Sequence, residues 1–186
     1  MKFQKSLLAL GLGLLTGASA SATTLADLER GQLDIRLIDT SGQDYIQAQG
    51  IFDAPIEKVW KTLTDFKNYP RYYQNLTRSE IRSRSGNQAK VYVKFNLPFP
   101  VNEIWVLNQY TLDAQNKRLS WKMLDGNLKD SDGVGSWTLK PHKGKTLATY
   151  RLNVNPSGGN WLQKQAIFQT TPRVFQYLNQ QMGFKN

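Results

Sequence analysis

Between residues 90 and 155 the chain consists of short runs in which apolar and polar side chains alternate, separated by turn-forming residues. In the clearest run, residues 90–97, Val91, Val93 and Phe95 fall on one face, and Lys, Tyr and Asn residues fall on the other. Successive side chains of a strand point to opposite faces, so each run predicts a half-buried strand. Strands joined by such short turns predict an antiparallel meander. The other runs are residues 101–113, 119–123, 136–140 and 147–155, and the polar stretch 77–83 predicts a further strand at an edge of the sheet.

A long helical segment follows the meander. Residues 161–182 carry apolar side chains at helical spacing in two adjacent stripes, so the apolar face of the predicted helix is broad. A proline near the middle of this segment is expected to kink the helix. One stripe comprises Ile167, Thr171, Val174, Leu178 and Met182, and the other comprises Trp161, Gln165, Phe168, Pro172 and Phe175.

The stretch 51–73 is predicted to form the end of a strand and then two short helical pieces. Asp53 is expected to cap the first helix, and Asp65 is expected to begin the second piece. Tyr69-Pro70 is expected to end that piece, because the residue before a proline avoids the helical region. The apolar face of the first helix is formed by Ile56, Val59, Trp60 and Leu63.

The order of elements is therefore a strand, a short helix pair, about six more strands and a long C-terminal helix. This order predicts an α+β fold in which a curved antiparallel sheet of about seven strands wraps around the C-terminal helix. One domain is expected over residues 44–186, preceded by a lead segment, residues 23–43, whose pattern is ambiguous. Large aromatic side chains on a strongly bent sheet need not fill the space under the helix, so we expect a cavity there.

The first residues of the chain predict export. Two lysines precede an apolar run, residues 7–15, that is too short to span a bilayer, and small residues then favour cleavage after Ala20 or Ala22. We interpret residues 1–22 as a signal peptide and expect the mature protein in the periplasm or outside the cell. An uncleaved N-terminal anchor is the alternative.

The composition excludes several kinds of chemistry. The chain has no cysteine, so thiol catalysis and thiolate metal sites are excluded. Its one histidine, His142, belongs to a predicted turn and is expected to be exposed, so neither a zinc site nor a Ser-His-Asp arrangement is predicted. Asp125, Asp130 and Asp132 lack the spacing of a calcium-binding loop. No catalytic residue, metal ligand or cofactor is therefore predicted.

The net charge of the chain is +10, and +8 remains once Lys2 and Lys5 of the signal peptide are removed. Such a charge favours anionic surfaces, membrane headgroups among them. The densest set of basic residues is Arg78, Arg82 and Arg84, of which Arg82 and Arg84 are expected to share a strand face. We interpret that face as a solvated one, with a membrane-surface patch as the alternative. Export argues against nucleic acid as a partner.

Two parts of the chain resemble a known superfamily. The sequences Ala-Pro-Ile-Glu-Lys-Val-Trp at residues 54–60, Leu-Thr-Asp-Phe at 63–66 and Asn-Tyr-Pro at 68–70 resemble the strand-to-helix transition of START-like (SRPBCC) proteins. These include the polyketide cyclase/dehydratase and coenzyme Q-binding START domains. Pro-Ser-Gly-Gly-Asn-Trp at 156–161, followed by a proline-interrupted helix, resembles their C-terminal helix. The resemblance covers residues 44–182.

This resemblance implies the helix-grip fold, in which a curved sheet holds a long helix over a hydrophobic pocket. The polyketide cyclases of the family imply that an enzyme is one option, but the resemblance supplies no catalytic motif for this chain.

The implied pocket would be lined by the concave face of the sheet and by the helix. For each candidate residue, ordinary core packing is the alternative. Asn108 interrupts an apolar stripe, and because a buried amide needs partners it is expected either to orient the polar end of a ligand or to bond to a neighbouring strand. Phe99 and Trp161 lie near chain breaks and are expected at the pocket entrance, with turn packing as the alternative. The predicted lining comprises Phe95, Asn108, Tyr110, Trp121, Trp137, Tyr150, Phe168 and Phe175.

These observations favour an exported protein that binds, and in a further step transports, a lipid or other hydrophobic small molecule. The alternative is a cyclase- or dehydratase-like enzyme acting on a hydrophobic substrate in the same pocket, although no paired carboxylates are evident. An interaction module with a filled core is a third option. The expected partners are the hydrophobic ligand and, transiently, an anionic membrane surface.

Overall fold

The structure is a computed structural model that describes residues 23–40, 42–96, 103–127, 133–153 and 161–182. For residues 43 and 161–170 it describes the backbone and not the side chains. The predicted signal peptide, residues 1–22, lies outside the described residues.

The described residues form four α-helices, one short 3₁₀ helix at Phe66–Asn68 and eight strands. No helix among them is long and apolar enough to cross a membrane. The helices are α1 (Leu25–Glu29), α2 (Ile56–Thr64), α3 (Tyr69–Tyr72) and α4 (Trp161–Gln181). The strands are β1 (Asp34–Thr40), β2 (Gln43–Phe52), β3 (Leu76–Ser85), β4 (Gln88–Asn96), β5 (Glu103–Asp113), β6 (Arg118–Gly126), β7 (Gly135–His142) and β8 (Lys145–Asn153).

The eight strands form one curved, open antiparallel sheet in the order β1-β2-β8-β7-β6-β5-β4-β3. Strands β3 to β8 follow one another as a meander, and β2 pairs with β8. The predicted α+β fold, a curved antiparallel sheet with a long C-terminal helix, is confirmed. The sheet has eight strands rather than about seven, because β1, in the predicted lead segment, pairs with β2 along its whole length.

The helix pair closes one side of this sheet. Strands β2 and β3 are consecutive in the chain but lie near opposite ends of the sheet, so the connection through α2, the 3₁₀ helix and α3 crosses the concave face. Helix α2 presents the predicted apolar side to the sheet. Val59 and Leu63 are buried there, and Ile56 and Trp60 are half-buried against the same core.

Asp53 does not cap α2, contrary to the prediction. The helix starts after Pro55, whose position has no side-chain cap. Asp53 lies two residues earlier in the chain, and its carboxylate forms an ion pair with Lys145 at 2.8 Å. Its backbone N–H donates a hydrogen bond to Oδ1 of Asn179 in α4 at 3.3 Å. The aspartate therefore ties β2 to β8 and α4.

Tyr69-Pro70 does not end the helical segment, which corrects a second prediction. Tyr69 adopts helical φ and ψ angles of −50° and −36°, and α3 begins there with Pro70 in its first turn. The first N–H groups of a helix have no partner within the helix, so a proline at this position starts a helix at little cost. The Tyr69 hydroxyl donates to the carbonyl oxygen of Leu63 at 2.7 Å, which holds α3 against the end of α2.

Arg82 and Arg84 do not share a face of β3. A register shift at Arg82 separates two regular stretches of pairing between β3 and β4. Beyond the shift, Arg84 pairs with Ala89, whose side chain is buried, so Arg84 lies on the inward side. Arg82 lies over the Tyr92 ring on the outer face, 5.2 Å from its centroid. The prediction was wrong because a bulge inserts an extra residue that simple alternation does not reveal.

The core lies between the concave face and the helices. Phe175 of α4 stacks on Phe52 of β2 with ring centroids 5.3 Å apart, and it contacts Trp137 of β7 at 5.1 Å. Pro172 lies inside α4. Three residues of the first predicted stripe of α4 are buried, namely Thr171, Leu178 and Met182.

Thr146 fastens the start of α2 to the sheet. Its side chain is fully buried in β8, and its hydroxyl donates to the carbonyl oxygen of Ala54 at 2.7 Å. Because Ala54 is also buried, no water can replace this donor without opening the structure.

We expect Thr146→Val, which keeps the shape of the side chain and removes the hydroxyl, to lower the free energy of unfolding by about 1–3 kcal/mol. The reason is that the Ala54 carbonyl is left buried without a donor. Chemical denaturation measures the change. Thr146→Ser is the matched control, since it keeps the hydroxyl and loses one methyl group, at a cost of about 1 kcal/mol. A valine variant as stable as the unchanged protein would show that this hydrogen bond does not hold α2 in place.

Candidate functional site

A cavity of about 230 Å³ lies between the concave face of the sheet and the helices. Of the thirteen described residues that line it, seven are aromatic, five are aliphatic and one carries an amide. The wall is therefore aromatic with few polar atoms. The lining residues are Tyr69, Tyr73, Leu76, Val93, Phe95, Asn108, Tyr110, Leu119, Trp121, Trp137, Tyr150, Leu152 and Val174.

Strands β4 to β8 supply most of this wall, because alternation along each strand turns every second side chain inward. The strand register brings the large rings side by side. Tyr110 of β5 lies opposite Trp121 of β6, and Trp137 of β7 lies opposite Tyr150 of β8. The other side of the cavity is closed by α3, by the first residue of β3 and by Val174 of α4.

Gly135 leaves room for the indole of Trp121. The two residues face each other across β6 and β7, and a Cβ atom on Gly135 would lie 2.3 Å from the Trp121 ring. Any larger residue at this position would therefore displace the indole. The missing side chain lets the Trp121 ring extend over β7 and form part of the cavity wall.

The rings of the wall contact one another in an unbroken series. Ring centroids lie 6.0 Å apart between Tyr110 and Trp121, and 6.0 Å apart between Trp121 and Tyr150. The Tyr150 and Trp137 centroids are 4.7 Å apart. Rings at such distances pack favourably and restrict one another's rotation. The wall is therefore a stiff aromatic surface, which suits a flat apolar ligand.

Four tyrosines line the cavity, and burial raises the pKa of each above its ordinary value. Burial raises the pKa of Tyr110 to about 12, although the neighbouring Asn108 and Tyr69 side chains partly offset the rise. The hydroxyls are uncharged at neutral pH, and that of Tyr69 already donates to the Leu63 carbonyl oxygen. The four are Tyr69, Tyr73, Tyr110 and Tyr150.

The described part of the cavity wall carries no charge at neutral pH, since it includes no Asp, Glu, Lys, Arg or His side chain. In the same part of the chain, no group of His, Cys, Asp and Glu residues could hold a metal ion. His142 lies elsewhere, at the end of β7. Its ring is only 15 % exposed rather than fully exposed as expected, because it packs 2.7 Å from the Glu29 carboxylate. A ligand in the cavity would be held by packing and by neutral hydrogen bonds.

Six of the residues predicted to form a pocket meet around this cavity. Phe175 is placed elsewhere, since its ring lies against Phe52 and Trp137 in the core and does not belong to the described lining. Val174 faces the cavity in its place, because neighbouring residues of a helix point about 100° apart. That any of these residues binds a ligand stays a prediction. The six are Phe95, Asn108, Tyr110, Trp121, Trp137 and Tyr150.

Three predicted site residues lie outside what the structure describes. Phe99 falls between the described ranges, and the side chains of Trp161 and Phe168 are not described although both residues belong to α4. The entrance role of Phe99 and Trp161 and the lining role of Phe168 therefore stay predictions.

Sequence reasoning missed α3 as part of the wall. Tyr69 and Tyr73 line the cavity from this side. A signal is present in the chain, since three tyrosines fall within residues 69–73. Pro70 conceals it, because a proline predicts a chain break and hides the helical turn that brings Tyr69 and Tyr73 to the same wall.

The sequence profile of the polyketide cyclase / dehydrase and lipid transport family matches residues 46–175. The match spans well over half of the chain, and the chain belongs to this family. The START-like resemblance is thereby confirmed. A search of curated protein sequences gives no match. Membership of this family supports a hydrophobic ligand-binding domain, of either the lipid-transport or the cyclase kind.

Solved structures share the fold. A STAR-related lipid transfer protein from Xanthomonas axonopodis aligns with a TM-score of 0.65 at 18% identity, covering 81% of this chain and 93% of that one. The Zhui aromatase/cyclase from Streptomyces sp. R1128 aligns with a TM-score of 0.64 at 14% identity, covering 75% and 91%. A START superfamily protein from Mycobacterium smegmatis aligns with a TM-score of 0.61 at 15% identity, covering 74% of this chain and 96% of that one. At these identities the likeness shows the helix-grip fold alone.

We expect the stability of the protein to fall above pH 10 because of the buried phenols. Tyr110 has an ordinary pKa of 10.0 in the unfolded chain and a pKa of about 12 in the folded one. Between these values the unfolded chain releases a proton that the folded chain keeps. The contribution of Tyr110 to the free energy of unfolding is therefore complete below pH 10 and is lost as the pH rises toward 12. Its size is up to about 3 kcal/mol.

The measurement is the free energy of urea unfolding of the unchanged protein and of Tyr110→Phe across this pH range. The phenylalanine variant lacks the titrating group, so its stability should fall less steeply above pH 10. A pH-independent loss of unfolding free energy caused by the missing hydroxyl appears equally at lower pH, so it does not affect the comparison of the slopes. Parallel curves for the two proteins would contradict the burial of this phenol.

Proposed function

We propose that this chain binds a neutral, ring-sized hydrophobic molecule in the aromatic cavity and, after export, carries it between membranes. The observation that carries the proposal is a cavity of about 230 Å³ whose described lining has seven aromatic residues, one amide and no charged side chain. The family description, which includes lipid transport, supports a hydrophobic ligand. A lipid transfer protein with the same fold supports the carrying role.

The volume of the cavity limits the size of the ligand. An apolar cavity of about 150 Å³ holds a benzene ring. The 230 Å³ found here therefore accommodates one or two fused rings or a short acyl chain. Drug-sized ligands occupy pockets of roughly 300–1,000 Å³, and a lipid with two long chains would need more space than the cavity offers. The geometry favours a small ring-bearing molecule, or the ring end of a larger one, over a whole two-chain lipid.

The polar atoms of the wall favour a ligand that carries a neutral oxygen. Asn108 and Tyr110 lie side by side on β5, and both present uncharged hydrogen-bonding groups to the cavity. A carbonyl oxygen of the ligand could accept a hydrogen bond from either group. A carboxylate or an ammonium group would be buried without a counter-charge, which is strongly unfavourable. The site is therefore suited to ketones, quinones, esters or similar neutral compounds.

A cyclase- or dehydratase-like enzyme is the second candidate. It is favoured by the family description and by an aromatase/cyclase with the same fold. In such an enzyme, Asn108 and Tyr110 would polarise a substrate carbonyl. Acid–base catalysis at neutral pH favours a group whose pKa lies near 7, whereas burial moves the pKa of Tyr110 to about 12. The described wall therefore supports binding more strongly than proton transfer.

Export is part of the proposal and rests on residues 1–22. Their lysines, apolar run and small residues are typical of a signal peptide, so the carrier would work in the periplasm or outside the cell. The net charge of the mature chain, +10 less the two lysines of that segment, supports transient contact with an anionic membrane. Phe99 and Trp161 are proposed as the entrance through which the ligand passes, and Phe168 and Phe175 as supports of the wall.

Mass spectrometry of organic extracts tests the proposal on protein purified from its native compartment. We expect a neutral ring-bearing or lipid-like compound to be recovered above the amount that accompanies a variant with a filled cavity. Recovery of no such compound, together with no transfer of a hydrophobic probe between vesicles, would show that the chain is not a carrier. A compound that changes mass during incubation with the protein would support the enzyme instead.

Val174 allows the cavity to be filled without changing its polar groups. Val174→Phe places a ring in the space under α4, and we expect the affinity for the two-ring ketone tetralone to fall roughly tenfold or more. Val174→Ala leaves the space open and is the matched control, with affinity close to that of the unchanged protein. Isothermal titration measures both, and thermal unfolding confirms that each variant is folded. Equal affinities for all three proteins would place tetralone outside this cavity.

A further inference from the structure

The outer face of β3, β4 and β5 carries rows of side chains on the side opposite the cavity. Their orientation follows from their neighbours in β4, where Val91 and Val93 are buried in the core and the residues between them point outward. The cross-strand partners form three rows about 7 Å apart along the strands. The rows are Arg78, Lys94 and Trp105; Glu80, Tyr92 and Leu107; and Ser83, Lys90 and Gln109, the last continued by Lys122 of β6.

Two aromatic rings lie at the centre of this face. The rings of Tyr92 and Trp105 are stacked, with centroids 5.9 Å apart and an interplanar angle of 25°, and both residues are half-exposed. The guanidinium carbons of Arg78 and Arg82 lie 5.8 and 5.2 Å from the centroid of the Tyr92 ring. Cations at such distances are attracted to the ring face. Aromatic and basic groups therefore form one continuous surface, here named the basic–aromatic patch.

Cations outnumber carboxylates on this surface. Glu80 forms ion pairs with Arg78 and Arg82, and the Glu103 carboxylate pairs with Lys94. A further carboxylate on the outer side is that of Asp125, which lies opposite Leu107.

Lys90 and Lys122 are exposed, and neither forms an ion pair with another described residue. The surface therefore has five basic side chains and three carboxylates, which leaves a surplus of two positive charges. The basic residues are Arg78, Arg82, Lys90, Lys94 and Lys122, and the acidic residues are Glu80, Glu103 and Asp125.

We propose that the basic–aromatic patch docks the protein on a bilayer that contains anionic phospholipids. Trp and Tyr side chains prefer the boundary between lipid and water, and Lys and Arg side chains are attracted to anionic headgroups. Affinity for nucleic acid depends largely on the number of phosphates that Lys and Arg side chains neutralise, and the small charge surplus here offers few. A charged membrane surface with an apolar interior uses both the cations and the aromatic pair.

The patch lies directly behind the cavity. Val93 and Phe95 of β4 line the cavity, and Lys94 between them belongs to the patch. A docked protein would therefore hold its ligand about one sheet's thickness from the headgroups. The inference rests on the proposed function for its purpose, which is exchange of the ligand at a membrane, whereas the docking itself does not require an occupied cavity.

Sedimentation with vesicles tests the docking, using the full chain. We expect binding to mixed phosphatidylcholine–phosphatidylglycerol vesicles that weakens as salt is added, because exposed charges are screened. Vesicles of phosphatidylcholine alone are the control for binding that does not depend on anionic headgroups. The double variant Lys90→Gln with Lys122→Gln should bind the mixed vesicles roughly 25-fold more weakly, about fivefold for each cation.

Lys61→Gln with Lys67→Gln is the matched control, because both lysines are exposed on the helix pair and the variant loses the same charge away from the patch. It should keep most of the vesicle affinity. The proposal is overturned if the patch variant binds as well as the unchanged protein, or if both kinds of vesicle bind equally. It is also overturned if heparin or a DNA duplex binds at the patch while the mixed vesicles do not.

Failure of docking and failure of the proposed ligand site are distinguishable. The patch variant should bind tetralone normally, because neither lysine lines the cavity. Val174→Phe should bind the mixed vesicles normally, because Val174 lies on the opposite side of the sheet. A cavity that binds no ligand in a protein that still binds vesicles through the patch would leave the docking inference standing.

Discussion

The stacking of Phe175 on Phe52 determines how closely the long helix approaches the sheet. The two ring centroids lie 5.3 Å apart. Gly50 leaves room for two neighbouring side chains, since a Cβ atom there would lie 2.4 Å from Leu33 and 3.1 Å from the Phe175 ring. Helix α4 accordingly packs most closely on β2 and α3. Farther across the sheet, beyond Trp137, Val174 is the one described α4 side chain that reaches the cavity. The helix is thus held at one side of the concave face, and space remains at the other.

The chemistry of the cavity follows from this geometry. Rings that pack edge to edge along a curved sheet are too stiff to collapse into the remaining space, so the wall stays open and aromatic. The same enclosure keeps water from the phenols and raises their pKa, which leaves them neutral over the physiological range. A neutral wall with hydrogen-bonding groups can hold an uncharged molecule and offers little for proton transfer. These properties are the basis on which we propose a binding site rather than a catalytic one.

The two faces of the same strands have different characters. The concave face of β4 and β5 carries apolar rings and one amide, and the outer face carries basic residues around a stacked aromatic pair. Strict alternation along the strands separates the two sets of side chains by the thickness of a single sheet. The proposed carrier, which would collect a hydrophobic molecule at a charged surface, would use both properties, and one short set of strands supplies them.

Alternation in the sequence was sufficient to identify the inner face of the sheet. Asn108 and Tyr110 are two residues apart on β5 and so point to the same face of the sheet, and both line the cavity. Local irregularities could not be predicted, because they depend on pairing with other strands. The bulge at Arg82 is one of them. A broad apolar face does not determine the rotation of a helix about its own axis to better than one residue. For this reason Phe175 was expected at the position where Val174 faces the cavity.

The most direct test of the ligand site is an NMR titration of the indole N–H signals with tetralone. Trp121 and Trp137 line the cavity, whereas Trp105 lies on the outer face and Trp60 lies beneath Lys117, whose Nζ atom is 5.6 Å from its ring centroid. We expect saturable shifts of the Trp121 and Trp137 signals, while those of Trp60 and Trp105 stay in place. Shifts confined to Trp60 or Trp105, or no saturable shift of the two cavity signals, would contradict a ligand site between sheet and helix.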